Sequence, residues 1–359
     1  MTTVSPTPAP TPATPAPGQT PVPGPPPAMR LRELVFGAAC AAAVRAAARL
    51  GVADALGESP ATAAELAKEV NTEPVPLRRL LRALCCYGIF SEREDGTFVH
   101  TEMSRLLRED DPNSLRYISL WCTEPWTWKV WPQLDDAVRS GTSVFAETFG
   151  KGFFDYLHQD AAESAQVFNR AMTTSSRQSA LDVAELLDLT GVSVVADIGG
   201  GQGHVLASLL DKHPEVRGTL LDLPGVVARA DARLRDGGDL AGRADIVAGD
   251  CRRSIPVEAD LYIIKNILEW DDESTRRTLR NVVAAARPGA RVVIIENLVD
   301  DTPSMRFTTA MDLLLLLNVG GAKHSRDSLT GRLSDAGLAV GEIRPVNAYL
   351  HAFECVVPG

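Results

Sequence analysis

Three things are scarce in this sequence of 359 residues. Its six cysteines, Cys40, Cys85, Cys86, Cys122, Cys251 and Cys355, form no C-x-x-C pair. That scatter argues against a metal site and against a disulfide framework, and it fits a reducing cytoplasm. Long apolar runs are missing as well: none approaches the roughly 18–20 residues that span a bilayer. Nor does the chain start with a basic stretch and an apolar core, so we expect neither a membrane partner nor a secretion signal. Positive charge is short, with 36 Lys and Arg against 46 Asp and Glu and a formal net charge of -10. So acidic a chain lacks the electrostatic footprint of a nucleic-acid binder. Its 45% hydrophobic content is enough for a core, and its length suggests about two domains.

Proline is concentrated at one end. Residues 1–28 hold 11 of the 24 prolines, which predicts a disordered tail. From Arg30 apolar residues recur at helical spacing, predicting an Ala-rich helix over Leu31–Leu50 with too little polar surface to stand alone in solvent. Thr62 and Glu65 form a capping box for Ala63–Val70, and Leu77–Tyr87 reads as a further helix. Phe90–Glu92 and Thr97–His100 read as a hairpin around Asp95-Gly96. Helices plus a small hairpin make a winged-helix pattern over residues 29–112. Arg78, Arg79 and Arg82 there could contact DNA or form a solvated helix face; the net charge favours the second. Residues 113–190 read as helices carrying Trp121, Trp126, Trp128 and Trp131, either core residues or stacking partners for a flat aromatic ligand.

Residues 191–359 alternate strand and helix. Strands are expected at Val192–Ile198, Thr219–Leu223, Asp245–Ala248, Leu261–Lys265 and Arg291–Asn297, with helices between them. A final pair, near Val340–Arg344 and Tyr349–Val357, has no helix between and should form an antiparallel edge hairpin. The fold class is therefore α/β: a mostly helical winged-helix unit plus a Rossmann-like, doubly wound sheet. After the first strand the chain reads Asp197-Ile198-Gly199-Gly200-Gly201-Gln202-Gly203. The dinucleotide fingerprint G-x-G-x-x-G fails, because His204 stands at its sixth position. The leading carboxylate suits a ligand with an ammonium group rather than a diphosphate. Asp222 ends the second strand, 25 residues on, where a carboxylate can accept both hydrogen bonds of a ribose diol. Asp250 ends the third and could accept from an adenine amino group. Three carboxylates at successive strand ends point to a nucleoside ligand.

These motifs resemble those of the plant-type and actinomycete small-molecule O-methyltransferases over roughly residues 30–359. The resemblance rests on the glycine loop, Leu221-Asp222-Leu223-Pro224, Gly249-Asp250-Cys251, Lys265 through Glu273, Arg287-Pro288-Gly289, and Met311-Asp312 through Gly320-Gly321. It implies a winged-helix homodimerisation domain, S-adenosylmethionine in the C-terminal domain, and a small aromatic substrate between the two. Gly199 and Gly201 would line the methionine end and Asp222, beside Leu223, would hold the ribose. Asp250, Cys251 and Lys265 would meet the adenosine part. Met172 resembles the family's methionine near the reacting centre, and Asn318 an asparagine facing the acceptor; Asn266 and Trp126 join them as candidate acceptor contacts.

The chain departs from the family where its histidine base usually stands. Leu268-Glu269-Trp270-Asp271-Asp272-Glu273 is one residue short. Matched from Asp260, Glu269 takes the histidine's place; matched backward from Trp270, Leu268 does. Lys323 and His324 replace a glutamate and an arginine of the family's second base-supporting motif, while Glu296 matches an acidic position near the site. Glu269, Glu296 and His324 are thus the candidate catalytic residues, His324 reading equally as a surface-loop histidine. A missing histidine does not exclude catalysis. A general base contributes about 10²–10⁴-fold, whereas alignment of reactants reaches effective molarities of roughly 10⁵–10⁸ M. Two alternatives stand beside O-methylation of a phenol: hydroxylation or decarboxylation of a polyketide at the same cofactor site, and a non-enzymatic DNA-binding regulator.

Overall fold

A computed structural model of the chain describes residues 25–300 and 305–359. Most of the expected proline-rich tail therefore lies outside the described residues, but its end does not. A helix starts at Pro27, one of the positions where proline's missing N–H costs nothing. The single helix expected over Leu31–Leu50 is two, Pro27–Val35 and Gly37–Leu50, separated at Phe36. Gly37 follows the break, and glycine has the weakest hold on helix after proline.

The helix Ala63–Glu69 carries the predicted capping box: Thr62 Oγ1 accepts from Glu65 N–H, and Glu65 returns the bond to Thr62 N–H at 2.7 Å. Pro74–Cys86 buries Leu77, Leu81 and Leu84. The hairpin strands stand where predicted, β2 at Phe90–Glu92 and β3 at Thr97–His100. A strand the pattern does not reveal, β1 at Ala61–Thr62, pairs with β3 on its other side. Arg78 and Arg82 are both ion-paired with Glu92 at the wing, at 3.2 and 2.9 Å.

The C-terminal sheet has seven strands: β4 Val194–Ile198, β5 Arg217–Asp222, β6 Ala244–Ala248, β7 Leu261–Lys265, β8 Arg291–Glu296, β9 Ala339–Pro345 and β10 His351–Val356. Their order is β6-β5-β4-β7-β8-β10-β9, parallel from β6 through β8. β10 enters antiparallel between β8 and β9, which is the expected edge hairpin. One expectation fails: no helix joins β6 to β7. Residues 249–260 make that crossover as turns and extended chain, with Pro256 in their midst. Alternate residues of β7 and β8 feed opposite faces, Leu261, Ile263 and Val293 one core and Tyr262, Ile264 and Val292 the other. A sheet covered on both faces needs both sets apolar, which is why these strands read as continuous hydrophobic runs.

The helix Ala162–Leu186 joins the two halves of the molecule. Its C-terminal half puts Ala180, Val183 and Ala184 into one core of the sheet. Its N-terminal half packs Phe168, Ala171 and Met172 into a separate aromatic cluster with Trp121, Phe145, Phe153 and Leu317. Leu317 comes from the helix Met305–Val319, so this cluster joins two segments far apart in the chain.

Candidate active site

Strand order reverses between β4 and β7, and in open α/β sheets ligands bind at the carboxyl ends of the strands flanking such a switch point. The glycine loop leaves β4 there. Gly199 and Gly201 both adopt φ of +64°, and Gly203, at +80°, starts the helix His204–Lys212. The loop is sealed below: a Cβ on Gly200 would lie 2.4 Å from the Asp197 carboxylate. Above, at Gly201, a Cβ would meet nothing within 4 Å. Only bare backbone separates that open space from the sheet.

Asp222 anchors the loop. Its Oδ2 accepts from Gly201 N–H and its Oδ1 from Leu223 N–H, both at 2.7 Å. A carboxylate has about four acceptor positions, so lone pairs remain for a ribose diol. Asp197 is buried, and both of its oxygens lack a partner. Burial pushes its carboxyl up to about 7, opposed by the Lys265 ammonium. A buried, unpartnered carboxylate beneath an open glycine cradle fits a cationic nucleoside cofactor such as S-adenosylmethionine.

Three further cofactor-side candidates have partners within the protein. Asp250 is committed to Arg252, whose Nε and Nη2 both donate to it at 2.9 Å and whose guanidinium lies 5.7 Å from the Trp270 ring centre. The Cys251 side chain turns into the core beside Thr278, so Cys251 can face a ligand only through its main chain. Lys265, held below the usual lysine range by burial, is within the electrostatic reach of Asp197, Glu296 and Glu269. It ends β7, the strand that pairs with β4, and a cavity lined in part by Asn266 and Glu269 lies beyond that strand end.

That cavity has a volume of about 300 Å³. Trp121, Phe154, Phe168, Trp270 and Phe307 form aromatic walls, with Met172 among them. Asn266, Asn297 and Asn318 line it, and the buried Oδ1 of each has no hydrogen-bond partner. Asn266 follows β7 directly with φ of +53°, a left-handed conformation that asparagine tolerates better than most residues. Trp126 is not in the cavity. It is buried edge-on against Phe145 and Phe153, with ring centres 5.8 and 5.0 Å away. Trp121, on the preceding helix, has the stacking position instead.

The two alignments differ in which of Leu268 and Glu269 faces the cavity. Leu268 is fully buried, and its N–H donates to Glu296 Oε1 at 3.0 Å. Glu269 lines the cavity, ion-paired with Lys323. Of the two residues, Glu269 is the one that faces the cavity. His324 does not line the cavity: its ring Nε2 lies 2.6 Å from the Leu268 carbonyl, behind the site, where it braces the backbone. Glu296 is buried with Oε2 unpartnered, and burial, reinforced by the charge of Glu269, pushes its carboxyl up to about 8. Sequence reasoning saw that Lys323 replaces a glutamate but missed that it would pair with Glu269, 54 residues away.

A glycine cradle anchored by a strand-end aspartate, with an aromatic cavity beyond the adjacent strand, is an arrangement suited to nucleoside-dependent group transfer. The chain matches the O-methyltransferase domain over residues 131–339 and the O-methyltransferase dimerisation domain over residues 32–110, and it belongs to the O-methyltransferase family. It is 37% identical to the mitomycin biosynthesis 6-O-methyltransferase of Streptomyces lavendulae, over 89% of this chain and 91% of that protein. The aclacinomycin 10-hydroxylase RdmB of Streptomyces purpurascens is 32% identical, over 84% and 82%. The SAH-bound structure of CalO1, a methyltransferase in calicheamicin biosynthesis, superposes with a TM-score of 0.83 at 33% identity. It covers 92% of this chain and 98% of its own. The chain is an O-methyltransferase that uses S-adenosylmethionine. Among the described residues no helix is long and apolar enough to cross a membrane.

Proposed function

We propose that this enzyme methylates a phenolic hydroxyl of a small, flat, polyketide-like aromatic intermediate in antibiotic biosynthesis. One observation carries the proposal: an aromatic-walled cavity whose polar lining includes Asn266 and Glu269, just beyond the end of β7, the strand that pairs with the glycine loop's own β4. When bound, S-adenosylmethionine supplies an electrophilic methyl group on a sulfonium sulfur. Gly199, Gly201 and Asp222 hold its methionine and ribose parts. Trp121, Phe168 and Met172 sandwich the acceptor ring, and Asn266 and Asn318 orient its substituents. Glu269 accepts the hydroxyl proton, and Glu296 fixes the Leu268 backbone that aims it. Closure by the acceptor excludes water, and alignment supplies the larger share of the rate.

Residues 29–112 serve as the dimerisation unit of a cytoplasmic homodimer, 113–190 as the acceptor lobe and 191–359 as the cofactor domain. The test is a mass-spectrometric screen of phenolic polyketides with S-adenosylmethionine. Products heavier by one methylene support the proposal; an added oxygen or lost carbon dioxide would instead assign the hydroxylase or decarboxylase chemistry. On the acceptor so identified, Glu269→Gln should lower kcat roughly 10-fold to 10³-fold with cofactor affinity nearly unchanged. A rate within about 3-fold of wild type would show that proximity alone suffices.

A further inference from the structure

We propose that Lys323 binds the acceptor oxygen as its anion, so that the enzyme selects aromatic hydroxyls acidic enough to be held as phenolates. This rests on the cavity being the acceptor site. Among the described residues that line it, Lys323 is the only cation and Glu269 the only carboxylate. The Lys323 side chain is 7% exposed, so its ammonium is not a solvated surface charge. One of its three N–H groups donates to Glu269, and among the described residues no other partner of Nζ is seen. Two donors are left for an oxygen in the cavity.

The pair is built by the backbone. Lys323 N–H donates to Asp312 Oδ1 at 2.6 Å, and Ala322 N–H to the Glu269 carbonyl at 3.1 Å. Gly321 packs so closely on that carbonyl that a Cβ would lie 2.2 Å from it. The loop carrying Lys323 is thus fastened to the residue it neutralises.

An acceptor hydroxyl docked between the two side chains meets a group that only accepts and a group that only donates. Its O–H bond breaks, the proton goes to the Glu269 carboxylate, and the electron pair stays on oxygen facing Lys323. The buried ammonium exchanges one anion for another. No net charge is created in a space where an unpaired charge is expensive. Burial raises the Glu296 carboxyl, which favours its uncharged form and limits its repulsion of the phenolate.

The test uses para-nitrophenol, whose absorbance reports its ionisation, titrated into the full-length protein with S-adenosylhomocysteine present. A cation within contact lowers the pKa of an acidic group by about 1–3 units, so the wild-type protein should shift the bound dye downward by about 1 unit or more. Lys323→Arg should keep the shift and Lys323→Gln abolish it, while S-adenosylhomocysteine calorimetry confirms that both fold. Three results overturn the proposal: an unmoved dye in wild type, no dye binding at all, or a shift that survives Lys323→Gln. Should Lys323→Gln fail to fold, the wild-type and Lys323→Arg titrations decide. Failure of the acceptor assignment is separable: wild type would then methylate no phenol of a panel of graded acidity. Failure of the proposal alone leaves methylation intact and the dye unmoved.

Discussion

Neighbouring glycines in the cofactor loop should respond to substitution in opposite ways. At Gly201 a side chain would enter open space, but φ of +64° puts it in the left-handed region. That conformation costs an L-residue about 1–2 kcal/mol. Against a total stability of about 5–15 kcal/mol the protein stays folded, with a Tm lowered by about 2–8 °C. The side chain of Gly201→Leu would occupy the cradle itself. We expect S-adenosylhomocysteine affinity to fall at least about 10²-fold, equivalent to roughly 2.7 kcal/mol. Gly200→Ala works from below, its Cβ meeting the Asp197 carboxylate at 2.4 Å. Overpacking of this kind costs about 1–3 kcal/mol, and it displaces a buried carboxylate whose oxygens have no other partner. Its Tm loss should therefore match or exceed that of Gly201→Leu, although the added group is far smaller. Calorimetric titration and scanning calorimetry of both variants measure the two quantities. Undiminished binding by Gly201→Leu would refute the placement of the cofactor over this loop.

Three further outcomes follow from the geometry. Trp126→Ala, deep in the aromatic cluster, should cost about 3–5 kcal/mol in urea unfolding, whereas Trp121→Phe should raise the acceptor KM with little change in the midpoint. Equal effects on KM would put both rings in the cavity. The Asp197 and Glu296 carboxyls, raised to about 7 and about 8 from ordinary values of 3.8 and 4.5, bind protons more tightly folded than unfolded. Their contribution is complete in acid and is lost as pH rises through those values, so Tm of the cofactor-free protein should decline toward pH 9 less steeply in Glu296→Gln than in wild type. Parallel Tm curves would contradict that. Leu31, Leu34 and Val35 on the first helix, and Phe36 at the break that follows it, are all more than half exposed. Light scattering should find a homodimer, and Phe36→Asp should weaken it; a wild-type monomer at micromolar concentration would rule it out.

The sequence made visible what depends on local chemistry. Glycines at fixed offsets from a strand, carboxylates at strand ends and the Asp95-Gly96 turn are short-range signals, and the elements stand within a few residues of expectation. What stayed hidden depends on phase or distance. Trp121 and Trp126 share a cluster in sequence, yet which ring faces the cavity is set by how short helices pack, and no periodicity reports that. The His324 contact with the Leu268 carbonyl and the Lys323 pair with Glu269 bring together residues more than fifty positions apart. β1 has only two residues, too few to show any alternation. The missing helix between β6 and β7 was masked because a parallel sheet ordinarily has one there.

The helix Ala162–Leu186 acts as a lever. Its 25 residues span about 37 Å at 1.5 Å per residue. Its C-terminal half is clamped, through Ala180, Val183 and Ala184, to the sheet that carries the glycine loop, and Met172 rides about 12–18 Å from that clamp. A tilt of roughly 5° would swing Met172 by about 1–1.6 Å, and a misplacement of about 1 Å can cost 10²-fold in rate. Strain introduced at Val183 or Ala184 should therefore be felt in the acceptor cavity without any change to its lining. By reciprocity, an acceptor that wedges that arm should change cofactor affinity by the same factor by which bound cofactor changes the affinity for that acceptor.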